Sequence, residues 1–430
     1  MLFLMASSAT FGQIGLSPFT APNALQGFRL NPARTNFDKK LYVGLGHFNT
    51  DFYNSAGDVT NAVSREGDKL FLDIGELVGD LEEQNSLANN VEFMSLYVGT
   101  SVNRWRFGLY HSFRLQAEVR YPRDLVELIW NGNGPYVGEE LSIAPGGFYN
   151  AWNQIGAHIA YDFGKIQLGL NLNRNFGASY GETESGDISV YTDPDFYEIT
   201  VNNTHQVISS SFFTYEEDYT VDVEENAWRQ WTFGRNGGWS LDLGLNFQVN
   251  EKLSLHGFLR DLGSITYDEN IRRYGGQGEF IYDGAQLEDG LLDQGIDYDV
   301  NLDTIITELD YQEIQAPSEK EVSLHATYGI GADYLLNEKN RFSLILSQYH
   351  SSFQDRSFEM LHLGWHGRLL KWMWLNANYS YKFDRHNIGL GLTLNPGPFQ
   401  FMLYTDNLFV VFPNEQGQQT ALFGGMSFTL

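Results

Sequence analysis

Apolar and polar residues alternate at every second position over long stretches of this chain. In residues 166–173, Ile and Leu alternate with Gln, Gly and Asn, and residues 241–249, 322–332 and 388–394 repeat the pattern. Successive side chains of a β-strand point to opposite faces, so this alternation predicts strands with one apolar face. Several stretches exceed the ~5 to 6 residues usual in soluble proteins. The predicted strands are 41–50, 90–101, 104–119, 147–162, 165–176, 239–249, 252–264, 320–335, 341–351, 357–367, 370–381, 386–394, 398–405 and 421–430.

The connections between these strands alternate between short and long. Tight turns are predicted at Val102-Asn103, Phe163-Gly164, Asn250-Glu251 and Arg368-Leu369. The long connections are 51–89, 120–146, 177–238, 265–319 and 406–420. Transmembrane β-barrels have an even strand number, with short turns on one side and long loops on the other. The pattern therefore predicts an all-β fold, an antiparallel up-and-down transmembrane β-barrel of about 14 strands over residues 41–430.

Two of the long loops contain segments that predict short helices. Leu70 to Leu81 carries apolar residues at helical spacing, and Pro122 begins a second segment that continues to Trp130. Proline is favoured at the first position of a helix, and an apolar stripe at helical spacing is typical of an amphipathic helix. We therefore expect short helices in the outer loops.

The first 13 residues are predicted to be the remnant of a signal peptide. Met1 to Met5 is apolar and is followed by small and polar residues up to Gln13, as at the end of a signal sequence. A frayed terminus is the alternative. Nowhere else does the chain contain ~18 consecutive apolar residues, the length that a membrane-spanning helix needs. Export without such a helix leaves a soluble protein or a barrel, and the strand pattern favours the bacterial outer membrane.

Composition narrows the possible functions. The chain has 54 acidic and 27 basic residues, a net charge of -27 and no cysteine. Nucleic acid binding is disfavoured because it requires basic side chains against phosphates. Disulfide frameworks, cysteine-bound metals and thiol catalysis are excluded. The segments 177–238 and 265–319 hold 12 and 14 of the acidic residues, so much of the negative charge is expected outside the barrel.

Several segments resemble the fatty acid transporter superfamily of fourteen-stranded barrels. Asn31, Pro32 and Ala33, just before the first strand, resemble its Asn-Pro-Ala motif. Further segments resemble an uncharacterised barrel family in the branch found with type IX secretion; they are 122–136, 260–267 and 404–409. The resemblance implies an outer-membrane barrel with a plug-like segment at residues 14–40. It does not imply fatty acid transport, because the large acidic loops depart from the transporter pattern.

The sequence contains none of the common zinc or nucleotide-binding motifs. His-Glu-x-x-His and the Walker sequence are absent, and these are motifs that carry metalloprotease and phosphate-binding chemistry. We therefore expect neither an enzyme nor a cofactor. A membrane-embedded hydrolase using Ser343, Ser347 and His350 is a minor alternative, without a recognisable acid.

Basic side chains on the polar face of the strands are candidates for binding a ligand in the lumen. By strand parity they are His158, His256, His325, His362, His366, Arg104, Arg106 and Arg114. Such an interior would attract anions or respond to mild acid; the favoured alternative is a hydrogen-bonded network that fills the barrel. His362 and His366 are ~13 Å apart on a strand, so we expect them not to share a metal ion.

The acidic loop 283–310 contains a partial calcium-binding pattern. Its candidate ligands are Asp297, Asp299, Asn301, Asp303 and Glu308. Oxygen ligands suit Ca²⁺, but Leu302 stands where a calcium loop has its glycine. A solvated acidic surface is therefore the favoured reading of this segment.

Two functions remain open from sequence. The first is an outer-membrane channel or transporter that admits a small or amphipathic solute. The alternative is a non-transporting barrel that acts as a scaffold or subunit of an outer-membrane assembly, such as one related to type IX secretion. The expected partners are outer-membrane lipid, an unknown small solute and other outer-membrane or secretion proteins, with no nucleic acid.

Overall fold

A computed structural model shows that the chain forms a closed, 14-stranded antiparallel β-barrel, which confirms the predicted fold class. The described residues are 16–21, 24–34, 39–55, 63–66, 69–72, 74–79, 81–211, 213–215, 221–223, 232, 234–282, 312–353, 356–382, 385–408 and 419–430. The barrel strands are β1 (Leu41–Asn54), β2 (Gln84–Val102), β3 (Trp105–Pro122), β4 (Gly146–Asp162), β5 (Ile166–Thr192), β6 (Gly237–Gln248), β7 (Leu253–Tyr267), β8 (Lys320–Ser323 and Ala326–Asn337), β9 (Asn340–Ser351), β10 (Arg356–Leu370), β11 (Met373–Lys382), β12 (Arg385–Leu394), β13 (Phe399–Thr405) and β14 (Gln419–Thr429).

Each strand pairs with its neighbours in sequence, and the first and last strands close the barrel. Leu45 of β1 lies opposite Met426 of β14 and also opposite Leu96 of β2. The backbone N–H of Lys40 donates to the carbonyl of Leu430 at 2.7 Å. Both ends of the strand array therefore lie at the same end of the barrel, together with the short turns.

The short turns use residues that tolerate left-handed backbone. Asn103, between β2 and β3, has φ of 54°, and Gly164, between β4 and β5, has φ of 101°. A side chain disfavours positive φ, and asparagine and glycine are the residues that adopt it most readily. These turns are the tight connections that the sequence predicts.

The barrel wall continues beyond its outer rim as a projecting sheet. Strand β5 has 27 residues, and its outer half pairs with Ile199–Ser210. That strand in turn pairs with Ile271–Tyr282. The predicted connections 177–238 and 265–319 therefore contain strands. Polar residues occupy both faces of segments such as 199–210, so no apolar alternation marks them in the sequence.

The helix prediction is right for one outer segment and partly wrong for the other. Arg123–Asn131 forms a helix directly after Pro122. Residues Lys69–Leu72 instead pair with Val63–Glu66 as a hairpin, and only Ile74–Gly79 is helical. Cross-strand pairing gives the apolar residues 70–72 backbone partners that a short helix would supply less well. None of the helices that the structure describes is long and apolar enough to cross a membrane.

Apolar side chains cover the outside of the wall and polar side chains fill the inside. Leu109, Ile330 and Leu403 on the outer face are 64%, 65% and 56% exposed. Asn171 and Asn173 on the inner face are fully buried. The alternation seen in the sequence is thus inverted relative to a soluble protein, with the apolar face pointing outward.

Candidate functional site

The N-terminal segment 16–34 lies inside the barrel. It contains the short helix Ser17–Thr20 and the 3₁₀ turn Leu25–Arg29. The Phe28 ring lies 4.6 Å from Tyr97 and 5.1 Å from His158, ring centre to ring centre. Because these residues belong to β2 and β4 and face inward, the segment occupies the lumen.

Two wall glycines make room for the Asn-Pro-Ala motif. A Cβ on Gly169 would lie 2.1 Å from the carbonyl carbon of Pro32, and a Cβ on Gly244 would lie 2.1 Å from the side-chain oxygen of Asn31. That oxygen also accepts a 3.0 Å hydrogen bond from the N–H of Ala33, which folds the motif back on itself. The motif can therefore lie against β5 and β6 only where the wall has no side chain.

Arg29 ties this segment to four wall strands. Its guanidinium contacts Glu92 at 2.7 Å and donates to the Tyr110 hydroxyl at 2.5 Å. It also donates to Gln154 at 2.9 Å and lies 3.8 Å from Asp242. Arg29 is 2% exposed. A buried guanidinium with several acceptors is strongly held, because breaking a buried ion pair leaves an uncompensated charge.

The ionic contacts of Arg29 continue along the inner wall. Glu92 also pairs with Arg260, whose Nε lies 3.3 Å from Asp261. Asp261 accepts two hydrogen bonds from Arg114, one of them at 2.8 Å. With Asp242, the cluster contains three arginines and three carboxylates. Its charges balance, as a buried ionic network requires.

The wall is irregular beside this network. The pairing of β6 and β7 shifts between Leu241 and Leu243, and Asp261 in the bulge has φ of 62°. Strand β8 is interrupted at Leu324, whose N–H donates to the carbonyl of Gly263 at 2.9 Å. A bulge bends a strand and increases its local twist. The two neighbouring strands β7 and β8 are therefore separated by a break in regular pairing.

A pocket of about 490 Å³ lies at this break. Buried side chains of the inner face line it, including Phe148 and Tyr180. Leu262 and Glu321 of the outer face line it as well. The pocket, which we call the wall pocket, thus involves both faces of the barrel wall, and Asp261 connects it to the ionic network.

Two further carboxylates of the wall, Asp406 and Asp333, hold the segment at other points. Asp406, directly after β13, accepts hydrogen bonds from the N–H of Leu16 at 3.1 Å and from the Ser17 hydroxyl. Lys382 donates to the same carboxylate at 2.9 Å. At the other end of the segment, Arg34 lies 2.9 Å from Asp333 of β8. The segment is therefore attached around the lumen through polar groups as well as through apolar contacts, such as those of Leu25 and Phe28 with Tyr97.

The structure places seven of the eight lumen candidates on the inner face. They are His158, His256, His325, His362, His366, Arg106 and Arg114, all buried. The prediction for Arg104 is wrong: it lies in the exposed turn before β3, because that strand begins at Trp105, one residue later than the alternation indicates.

The buried basic side chains are dispersed among local partners. His158 Nδ1 lies 2.7 Å from the Asn171 side-chain oxygen, and His325 Nδ1 lies 2.5 Å from the Tyr349 hydroxyl. The Arg106 guanidinium lies 3.8 Å from the centre of the Tyr42 ring. These contacts favour the filled-interior interpretation over a common ligand site for all eight residues.

His362 and His366 approach each other more closely than their strand spacing indicates. A Cβ on Gly364 would lie 3.3 Å from Nε2 of each. Asn376 donates from its side-chain nitrogen to His366 Nδ1 at 3.2 Å and to a backbone carbonyl, so Nε2 of His366 carries the proton in the neutral ring. Among the described residues no group of three potential metal ligands occurs.

The remaining predicted sites do not assemble in the described part of the chain. Ser343 and Ser347 face inward, whereas His350 lies on the opposite parity of β9 and contacts Ser357 at 3.2 Å. The alternative hydrolase site is therefore not formed. The calcium candidates Asp297, Asp299, Asn301, Asp303 and Glu308 lie outside the described residues.

The central residues of the ionic network were missed from sequence. Arg29 lies two residues before Asn31 of the Asn-Pro-Ala motif, and Asp242 stands on the polar face of a predicted strand. An acidic residue on an inward-facing position needs a buried partner. Asp242 could therefore have been identified from the sequence as a residue that requires a basic partner. Its partner comes from a distant segment, which periodicity does not identify.

Comparison with known proteins identifies a family and several barrels. The model of the family of unknown function DUF5723 matches residues 32–406. The Ralstonia pickettii toluene transporter TbuX is 9% identical, with a TM-score of 0.49, over 99% of this chain and 100% of that chain. The P. putida toluene transporter TodX is 10% identical, with a TM-score of 0.43, over 95% and 94%. A Pseudomonas aeruginosa FadL homologue is 10% identical, with a TM-score of 0.42, over 99% and 93%. No curated protein matches the chain.

Proposed function

Because the chain belongs to the family of unknown function DUF5723, whose name assigns no activity, we propose a function from the barrel itself. The protein is an outer-membrane channel or transporter for a small, amphipathic solute. Its N-terminal segment 16–34 is an internal plug that closes the lumen in the observed state. Opening requires this plug to move or to be released from the wall.

The polar attachment of the plug carries this proposal. Arg29 is bound by Glu92, Tyr110 and Gln154, which belong to three different wall strands. A hydrogen bond made within a protein can be exchanged for one to water at modest net cost, whereas exposing a packed apolar core is expensive. The plug also packs apolar side chains such as Phe19 and Phe28 against the wall, so its release requires both the polar and the apolar contacts to separate.

The outer surface supports a membrane location. Large apolar residues such as Leu109, Ile330 and Leu403 are exposed on the wall, and soluble monomers rarely expose a large contiguous apolar patch. A closed barrel satisfies its backbone hydrogen bonds internally, which the hydrocarbon core of a bilayer demands. Since transmembrane β-barrels of this up-and-down type are typical of bacterial outer membranes, we place the chain there.

The wall pocket supports a small amphipathic solute. Its volume of about 490 Å³ falls in the range of ~300–1,000 Å³ that small-molecule sites occupy. Phe148, Tyr180 and Leu324 supply apolar contacts, and Glu182 and Lys320 supply charged groups. A solute with both apolar and polar parts matches this mixture.

Single-channel recording in planar bilayers tests the plug. We expect the wild-type barrel to be largely closed, and Arg29→Gln to raise the open fraction at least about tenfold. Loss of a buried ion pair costs roughly 3–5 kcal/mol, and ~1.4 kcal/mol already changes an equilibrium tenfold. Deletion of residues 14–37 is expected to give a constantly open channel.

Arg123→Gln is the matched control. Arg123 pairs with Glu127 at 2.5 Å on the exposed outer helix and does not contact the plug, so its loss leaves conductance unchanged. Circular dichroism and resistance to dissociation in detergent establish that each variant is folded. A folded deletion variant that stays silent would reject the channel.

A scaffold function is the second candidate, and the projecting sheet favours it. The strands Ile199–Ser210 and Ile271–Tyr282 extend the wall beyond the rim. In the turn that joins β5 to Ile199–Ser210, Phe196 and Tyr197 are exposed. Such a surface suits docking of another outer-membrane or secretion protein. Silent bilayers combined with loss of a cross-linked partner in Phe196→Ser would favour this candidate.

A further inference from the structure

Aromatic rings form a stack at the wall pocket. Phe148 and Phe353 lie 5.0 Å apart, centre to centre, with 20° between their planes. His325 stacks on Phe148 at 5.5 Å, and Tyr180 meets Phe148 edge-on at 6.2 Å. Both phenylalanines and Tyr180 line the pocket. The pocket therefore presents aromatic surface rather than aliphatic surface alone.

A side chain of the protein already places a cation on this stack. The guanidinium carbon of Arg120 lies 4.4 Å from the centre of the Phe353 ring. The side chain of Arg120 is 43% exposed, and its only ion pair within the described residues is to Glu118 at 4.0 Å. The face of an aromatic ring attracts cations through its quadrupole. Arg120 is thus a tethered occupant of a cation position and is held there weakly.

The charges around the pocket also favour cations. Glu182 and Glu321 line it together with Lys320, whereas the third carboxylate of the lining, Asp261, is paired with Arg114 and Arg260. Lys320 is shared between Glu182 at 3.2 Å and Glu184 at 3.4 Å. A cleft of one charge sign raises the local concentration of the opposite ion.

We propose that the wall pocket binds an organic ammonium ion with a small apolar body. The ammonium group lies on the Phe353 ring, which the Arg120 guanidinium also contacts, and the apolar part lies along Phe148 and Leu324. Glu182 at the polar side of the pocket contributes the opposite charge. This inference rests on the proposed channel in one respect, since it names the class of solute that the channel admits.

Binding to the folded barrel in amphipol tests the proposal without any transport step. Benzyltrimethylammonium is the cationic probe, phenylacetate the anionic probe and benzyl alcohol the neutral probe. Their affinities are measured by calorimetry and by saturation-transfer NMR. We expect the cation to bind at least about fivefold more tightly than either other probe, as cation–π contacts worth ~1 kcal/mol require.

Two variants separate ring recognition from general attraction by negative charge. Phe353→Leu keeps an apolar side chain. We expect it to lower the affinity for the cation about fivefold and to change the affinity for benzyl alcohol by no more than about twofold. Arg120→Gln removes the guanidinium that competes for the Phe353 ring. We expect it to raise the affinity for the cation about threefold or more. Phe401→Leu, on the exposed outer face of β13, is the control and leaves all three affinities unchanged.

The outcomes decide the binding site and the channel separately. Equal affinity for all three probes, or equal weakening of cation and alcohol by Phe353→Leu, overturns the proposal. The proposal would also be overturned if Arg120→Gln raised the affinity for the anion and not the affinity for the cation. Selective cation binding by a barrel that conducts in no variant would keep the site and reject the channel. Conductance without selective cation binding would keep the channel and reject the binding site.

Discussion

At the scale of single residues, the position of the plug depends on two absent side chains. Gly169 and Gly244 allow residues 31–33 to lie against the wall at distances that any Cβ would prevent. These contacts involve the backbone of Pro32 and Ala33 as well as the Asn31 side chain. Backbone cannot rotate away as a flexible side chain can, so the clash must move the whole motif.

We therefore expect Gly244→Ala to loosen the plug, although the substitution adds a methyl group and removes no side-chain contact. The added methyl would lie 2.1 Å from the Asn31 oxygen and 2.6 Å from the Ala33 nitrogen. Overpacking of this kind typically costs ~1–3 kcal/mol. We expect the open fraction in planar bilayers to rise by about tenfold or more, together with faster proteolysis of residues 16–34.

Gly257→Ala is the control for this substitution. A Cβ there would meet its nearest neighbour, the carbonyl of Gly329, only at 3.8 Å. It should leave both conductance and proteolysis as in the wild type. Unchanged behaviour of Gly244→Ala would contradict the tight fit between motif and wall.

At the scale of elements, the tight turns fix the register of neighbouring strands. Asn103, at φ of 54°, is followed by the exposed Arg104, and together they join the long strands β2 and β3. The loop length and turn type set which residues of a hairpin face each other. A residue that resists positive φ at position 103 would therefore disturb the register of β2 against β3.

Asn103→Val is expected to destabilise the folded barrel by about 1–2 kcal/mol, because a β-branched residue resists left-handed backbone. Asn103→Gly should be neutral within roughly 0.5 kcal/mol, since glycine adopts positive φ freely. Arg104→Val, at the neighbouring position of the same turn, is the control and should have little effect. Urea unfolding of the barrel in lipid vesicles measures all three, and equal losses at positions 103 and 104 would contradict the role of the positive φ.

The elements also show how far the sequence predicts this structure. All barrel strands follow from alternation, because a wall between lipid-like and polar surroundings imposes period two on every strand. The strand Ile199–Ser210 was not predicted, because both of its faces meet polar surroundings. The bulge at Asp261 was not predicted either: its positive φ and its ionic partners Arg114 and Arg260 depend on contacts that are distant in sequence.

At the scale of the whole molecule, the barrel and its plug are distinct parts of one chain. The wall closes on itself without the plug, since β1 pairs with both β2 and β14. The plug joins the wall at Leu41, at the end of the barrel that carries the short turns and Leu430. Its attachment through Arg29, Arg34 and Asp406 uses polar contacts spread around the lumen.

A separate plug peptide is therefore expected to close a barrel that lacks its own. In planar bilayers, a peptide of residues 14–37 should block the deletion variant when added on the side of the short turns, where the covalent plug is joined to β1. Addition on the loop side should have less effect, because the covalent plug is joined to the wall at the opposite end of the barrel. The same peptide with Arg29→Gln should block at least about tenfold less strongly, since it lacks the buried ion pairs. Equal block from both sides, or by both peptides, would mean that the segment obstructs the lumen without recognising it.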